Sequence, residues 1–293
     1  MSRLAHSDTL AELQALALAA RRLRGGILEE RPPRLPVGGT ELSGYRDYAP
    51  GDDHRHVDWN VCARHDELRV RQFAGRPDRH VRVLLDCSAS MGLGSPVSRF
   101  EAACRIAAAV GYLAIDREAC LSVLAFSDRL EHRIGPLRGR GRIGTLLNEL
   151  ESLPAAEGKT DFHGVAESFV RLDHANGPVV VISDFCEPQA FEAGLDVLRI
   201  AARSPRVIHL LNPTEDEEIS PGDIELVGVE SGETWEVTLT EPQLRRYREL
   251  AVADRERPRQ HCKRTRIPYV CTGVAVPDIQ GMRNIIAMRT PAP

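Results

Sequence analysis

The residues best equipped for chemistry lie in one short run, Asp86-Cys87-Ser88-Ala89-Ser90, where a carboxylate and two hydroxyls replace the hydrophobes that precede them. Hard oxygen donors of this kind suit Mg²⁺ or Mn²⁺, with Ca²⁺ as a further candidate. The Asp-x-Ser-x-Ser spacing lets Ser88 and Ser90 aim their oxygens at one point, with Asp86 behind them. Thr160, in the polar loop Gly158-Lys159-Thr160-Asp161, and Asp184, in Ser183-Asp184 at the end of a second apolar run, complete the set of candidate metal ligands.

Other chemistries fit these residues less well. A phosphotransferase or hydrolase using Asp86 as nucleophile wants a second Asp two residues on as general acid, and Ser88 stands there. Ser88 is not framed by the Gly-x-Ser-x-Gly of a serine hydrolase, and no Gly-x-x-x-x-Gly-Lys phosphate loop exists. A metal-free alternative also stands, in which the oxygens merely cap strand ends on a scaffold.

The elements around these residues place them together. Val81, Val83, Leu84 and Leu85 form a short β-rich apolar run, expected to be a strand buried on both faces. Ser98-Arg99-Phe100-Glu101 is a capping box that opens a helix through Asp116. Leu121–Phe126 reads as a strand, Leu130–Ile134 as a short edge strand, and Ile143 to Leu153 as a helix at period 3.6. The loop bearing Thr160 leads into a helix with Phe162, Val165, Ala166 and Phe169 inward. Val179–Ile182 is a third core strand, followed by a helix over Phe191–Ala202 and a strand over Val207–Leu211. This alternation predicts an α/β fold, a doubly wound, mostly parallel sheet with helices on both faces. Ligands of such sheets bind beyond the carboxyl ends of the strands, which is where Asp86 and Asp184 fall.

The segment before this domain differs in character. Residues 40–79 are poor in hydrophobes and dense in charge and aromatics, and predict a small β-rich annex. Val57, Trp59 and Val61 alternate as on a half-exposed strand. His54, His56 and Asp58 share the spacing of a strand-face metal site, but a solvated or Arg-paired charged ladder explains them more simply. The expected organisation is an N-terminal helix over Thr9–Leu23 with a Pro/Gly connector within 1–36, the annex at 37–79, and the α/β domain at 80–293. Near the C-terminus, Ile224–Val229 and Thr234–Leu239 read as a hairpin, and Pro242 opens a helix that Pro258 should kink or end. Arg255, Arg257, Arg259, Lys263, Arg264 and Arg266 form a basic stripe on it, Tyr269–Thr272 a last strand, and Glu215–Glu218 an acidic loop.

Composition narrows the class. The 293 residues are 42% hydrophobic and 27% charged, with a net charge of -4. These values fit a soluble globular protein and give no electrostatic footprint for nucleic acid. No segment reads as a signal peptide or a membrane span. Seven scattered cysteines without a Cys-x-x-Cys pair read as reduced thiols of a cytoplasmic protein.

Asp86-x-Ser88-x-Ser90, Thr160 and Asp184 resemble the metal-ion-dependent adhesion site of von Willebrand factor A domains. The resemblance implies that Ser88, Ser90 and Thr160 bind the cation directly and that Asp86 and Asp184 act mostly through ordered waters. It also implies an open position for a partner's Asp or Glu. Upstream, Gly44-Tyr45-Arg46-Asp47-Tyr48, Pro50-Gly51-Asp52-Asp53-x-Arg55-x-Val57-Asp58-Trp59, Ala63-Arg64 and Val70-Arg71 resemble the signature of the bacterial domain-of-unknown-function 58 proteins, which carry such a domain directly afterwards. Together the resemblances span about residues 40–273. They imply a non-enzymatic partner of a MoxR-type AAA+ ATPase in chaperone-like maturation or assembly of protein complexes. Arg46, Asp52, Asp53, Arg55, Asp58 and Trp59 become candidate partner-contacting residues. Many family members carry membrane-spanning helices before the signature, so this chain is expected to be a soluble version. Cys87, where adhesion sites often have Thr or Ser, is not an expected ligand.

Overall fold

The computed structural model describes residues 41–49, 57–65, 67–74, 80–94, 96–154, 158–174, 177–211, 219–229 and 232–274, with residues 11, 13–15, 18, 285, 287 and 288. The expected helix over Thr9–Leu23 lies mostly outside these residues. So do the Pro/Gly connector, the acidic loop and the pair His54 and His56. The chain divides into two compact units, Arg31–Arg79 and, together, Met1–Glu30 with His80–Pro293.

The smaller unit is built on an antiparallel pair, β1 (Glu41–Asp47) and β2 (Arg69–Ala74), with a short helix α1 (Trp59–His65) between them in the chain. The expected strand over Val57–Val61 is here corrected to a single β-bridge followed by this helix: Val57 pairs with Val70, both buried, and the chain then turns helical. Asp58 is the reason. Its Oδ1 accepts the backbone N–H groups of Asn60 and Val61 at 3.1 and 3.3 Å, and its Oδ2 accepts Tyr45 Oη at 3.1 Å. An Asp whose oxygen satisfies the first free amides of a helix favours that helix over continued strand.

The larger unit holds a six-stranded sheet. Its strands are β3 (His80–Asp86), β4 (Cys120–Phe126), β5 (Leu130–Leu137), β6 (Val179–Ser183), β7 (Pro205–Leu211) and β10 (Tyr269–Gly273). Between β7 and β10 in the chain come an antiparallel hairpin of its own, β8 (Gly222–Val227) with β9 (Thr234–Leu239), and a long helix. Spatial order is β10-β7-β6-β3-β4-β5, all parallel except β5, which returns antiparallel along β4. The fold is therefore the expected α/β class.

Helices cover both faces. Val81, Val83 and Leu85 of β3 join a core with α2 (Arg99–Asp116) and α3 (Ile143–Glu151), while Leu84 points to the opposite core with α4 (Phe162–Leu172) and α5 (Pro188–Ile200). Strict alternation into two apolar cores is why this strand is hydrophobic without interruption except at Arg82. That side chain is fully buried, donating to Gly177 O at 2.8 Å and lying 3.8 Å from Asp173. The helix α6 (Glu241–Thr265) is not ended by Pro258, which lies inside it. Pro258 costs it one backbone bond, but Pro258, His261 and Cys262 are all buried, with Cys262 in the second core. Tertiary packing holds the last two turns, and Arg266, left-handed at φ 59°, ends them.

The chain passes from β3 outward to β4 and β5, then crosses back to β6 on the other side of β3. That reversal opens a crevice between the carboxyl ends of β3 and β6. Both Asp86 and Asp184 are found there.

Candidate metal centre

Three loops meet at this crevice. The first follows β3 and carries Asp86, Ser88 and Ser90, the last within a 3₁₀ turn over Ala89–Gly92. The second precedes α4, whose N-cap Asp161 accepts Gly164 N–H at 3.0 Å and fixes the residue before it, Thr160. Ala89 N–H donates to Gly158 O at 3.0 Å, lacing the first loop to the second. The third follows β6 and carries Asp184.

All five candidate ligands are buried: Asp86 and Ser88 fully, Ser90, Thr160 and Asp184 nearly so. Asp86 is gripped at both oxygens. Ser88 N–H donates to Oδ1 at 2.9 Å and Ser183 Oγ donates to Oδ2 at 2.6 Å. Ser88 Oγ and Ser90 Oγ lie 3.1 Å apart. Asp184 Oδ2 accepts Arg99 Nη1 at 3.0 Å and the Cys186 thiol at 3.2 Å, and Oδ1 accepts Cys186 N–H at 3.3 Å. The same Arg99 nitrogen donates to Ser90 O at 3.0 Å, so one guanidinium bridges the loops after β3 and β6.

Burial, with Asp184 nearby as a second carboxylate, pushes Asp86 up to about 7 despite the hydrogen bonds that favour its ionised form. A carboxylate so far from water needs a proton or a cation beside it. Among the described residues no group of three or more His, Cys, Asp or Glu side chains could hold a metal ion. A cation here would rest chiefly on hydroxyl oxygens, which suits a hard ion. The residues fit one. Octahedral Mg²⁺ with bonds of about 2.1 Å sets neighbouring ligand oxygens about 3.0 Å apart, close to the spacing of the two serine hydroxyls. Cys87 is turned away, its thiol donating to Phe126 O at 3.1 Å and pushed up to about 12 by burial.

Beside Asp184 a cleft of about 250 Å³ opens toward α6, with Arg99, Cys186, His209, Tyr247 and Arg255 among its walls. His209 is buried under it. Its Nε2 faces Asp184 O at 2.9 Å and its Nδ1 faces Tyr269 Oη at 2.7 Å. The carbonyl can only accept, so Nε2 carries the proton and Nδ1 accepts from the tyrosine. Burial lowers His209 to about 4, so the ring is neutral at pH 7.

A family model described as a protein of unknown function, DUF58, matches residues 44–257, from β1 into α6. The chain belongs to the DUF58 family. The uncharacterized protein Rv1480 of Mycobacterium tuberculosis is 30% identical over 240 residues, covering 80% of this DUF58 chain and 75% of its own. Among solved structures, the conserved hypothetical protein BatB of Bacteroides thetaiotaomicron is similar at 14% identity and a TM-score of 0.38, covering 71% of this chain and 97% of its own. Manganese-loaded TRAP protein of Plasmodium vivax is similar at 16% identity and a TM-score of 0.33, covering 45% and 57%.

Of the candidate partner-contacting residues of this DUF58 chain, Asp58 is buried as the α1 cap, and Trp59 beside it is 64% exposed. Arg46 lies on β1 opposite Val70, and Asp52, Asp53 and Arg55 fall outside the described residues. The basic stripe belongs to α6, where Arg257 Nε donates to Glu192 at 2.9 Å and Arg264 contacts His261 at 3.1 Å. Among the described residues no helix is long and apolar enough to cross a membrane.

Sequence reasoning missed four contributors. Arg99 was legible only as part of a capping box, and Ser183 only as the residue before Asp184. Cys186 and His209 gave no signal at all: Cys186 matters through its two bonds to Asp184 in the same loop, and His209 through Asp184 O and Tyr269 on the chain segments beside it.

Proposed function

We propose that this DUF58 protein is a divalent-cation-dependent protein–protein interaction module. Ser88, Ser90 and Thr160 are its direct ligands, Asp86 and Asp184 hold ordered waters, and Mg²⁺ or Mn²⁺ is the ion. The partner supplies an Asp or Glu, and by resemblance that partner is a MoxR-type AAA+ ATPase acting in maturation or assembly of other complexes. The observation that carries the reading is the pair of buried hydroxyls, 3.1 Å apart, at the switch point of the sheet beside two buried carboxylates. The ion supplies a Lewis-acidic position for an incoming carboxylate, and the cleft beside Asp184 leaves room for the segment that carries it.

Asp86 is poorly placed as a nucleophile, since it has no exposed surface and both its oxygens are bonded. The test is calorimetric titration of metal-stripped protein with Mg²⁺ and Mn²⁺, beside a Ser88→Ala/Ser90→Ala variant. One saturable site is expected in the wild type and none in the variant, with capture of a co-encoded MoxR-type ATPase that disappears in EDTA. Capture indifferent to EDTA and to the double substitution would overturn the metal reading and favour the metal-free scaffold. Turnover of generic phosphate esters lost in Asp86→Asn would favour the hydrolase.

A further inference from the structure

The guanidinium at the centre of the crevice has a task of its own. Arg99 is the first residue of α2, and the capping box of Ser98 and Glu101 fixes where that helix begins. The side chain leaves from there into the crevice, where it is nearly as buried as Asp184 itself, at 8% and 4% side-chain exposure. Its Nη1 is shared between Ser90 O and Asp184 Oδ2. An arginine this far from water is held by the charge it meets.

Two consequences follow. A carboxylate offers about four lone-pair sites, and Asp184 has three occupied, by Arg99 and by the thiol and N–H of Cys186. Oδ2 is filled, so a cation could take it directly only by displacing a buried charge-assisted bond, and Arg99 beside it repels a cation approaching the remaining Oδ1 site; Asp184 is thereby biased toward acting through water. The second consequence is in the charge. Asp86 and Asp184, both ionised, against one guanidinium leave a single negative charge. A dication then leaves a single positive one, in a buried place where surplus charge is costly. One incoming carboxylate makes the site neutral.

We infer that Arg99 is a positioning residue that weakens cation binding by the chain alone and couples it to the arrival of a partner's carboxylate, by holding Asp184 off the ion and leaving the loaded site one negative charge short. This rests on the metal reading proposed above. The site is then a two-key device: the cation binds well only with the carboxylate, and the carboxylate only with the cation. Linkage makes the two effects equal.

The experiment uses the full chain, stripped of metal and titrated with Mn²⁺ in the absence and presence of saturating acetate, the Ser88→Ala/Ser90→Ala protein serving as blank for acetate–Mn²⁺ complexes. In the wild type acetate is expected to tighten Mn²⁺ binding about tenfold, within the usual range of coupling between sites. Arg99→Gln removes the positive charge. It is expected to bind Mn²⁺ at least about tenfold more tightly without acetate, as losing a nearby like charge does, and to show little acetate dependence. Arg99→Lys keeps the charge and is expected to retain the coupling, which a merely structural role would not predict. Wild-type Mn²⁺ binding indifferent to acetate would overturn the inference while leaving the metal reading intact, even if Arg99→Gln failed to fold. So would an Arg99→Gln protein that folds and behaves as wild type. No Mn²⁺ binding by any of the proteins would overturn the metal reading itself.

Discussion

Asp86 is held in place before any ion is considered. The hydroxyl of Ser183 reaches it from the neighbouring strand at 2.6 Å, and the two residues are both fully buried. A hydrogen bond to a charged buried group contributes about 1.5–3 kcal/mol, and removing one partner leaves the other's desolvation uncompensated. Ser183→Ala should therefore destabilise the metal-free protein by about 2 kcal/mol, seen as a lower urea midpoint at unchanged slope. Because the bond favours the ionised form of Asp86, its loss should also carry that carboxyl further above its already raised range. A Ser183→Ala protein as stable as the wild type would mean that the carboxyl finds another donor. At this scale the sequence announced the oxygen donors themselves, since Asp86, Ser88 and Ser90 interrupt an apolar run. It did not announce the groups that orient them. Ser183 and Arg99 lie 97 and 9 residues from the atoms they bind, and only the folded chain makes them neighbours.

Elements were legible where one kind of burial dictated the pattern. β3, β4 and β6 are buried on both faces and read as largely hydrophobic runs, interrupted inside by Arg82 in β3 and Ser122 in β4, and α2 announces itself by its capping box. Legibility failed where one side chain decides between alternatives. Val57, Trp59 and Val61 alternate as a strand would, yet Asp58 between them satisfies two helix amides and the chain turns. Close approach between elements was invisible for a related reason, since a glycine in a helix looks like a weakness until its neighbour is known. Gly194 in α5 lies against α4, where an added Cβ would fall 2.5 Å from the Phe162 ring and 2.9 Å from the Phe162 carbonyl oxygen. Phe162 stacks on Phe191 at 4.5 Å and touches Phe126 at 5.3 Å, so the ring has nowhere to yield. Gly194→Ala gains about 1 kcal/mol of helix propensity but forces overpacking that costs about 1–3 kcal/mol or more against backbone. The expected net effect is a loss of about 1–2 kcal/mol in thermal or urea unfolding. Gly144 in α3, whose Cβ would meet nothing within 4 Å, provides the control: Gly144→Ala should stabilise.

For the molecule as a whole, a net charge of -4 spread over 293 residues leaves pH sensitivity to a few buried groups rather than to general repulsion. His209 is the clearest, since its two nitrogens are both satisfied by the neutral ring, one donating to Asp184 O and one accepting from Tyr269. Protonation would place an N–H against the tyrosine hydroxyl and a charge where Phe185 packs at 5.0 Å. The folded-state value is lowered from 6.5 to about 4. The sign follows from linkage: between those values the unfolded chain binds a proton on this residue that the folded chain refuses, so stability rises with pH. The contribution is fully present above about pH 6.5 and is lost as pH falls toward 4. From pH 7 to pH 5 it amounts to about 2 kcal/mol, reaching about 3 kcal/mol near pH 4. Asp86 acts in the opposite sense, because a carboxyl raised to about 7 takes up its proton in the folded state first and so favours folding at lower pH. The wild-type profile alone therefore understates both. Comparing urea unfolding of wild type with His209→Gln, whose amide can still donate to Asp184 O, removes the shared Asp86 contribution. The stability difference between them should shift against the wild type by about 2 kcal/mol from pH 7 to pH 5. A difference that stays flat across that window would mean that the ring takes up its proton as readily in the folded chain as in the unfolded one, so that its buried place between Asp184 O and Tyr269 does not exclude the charge.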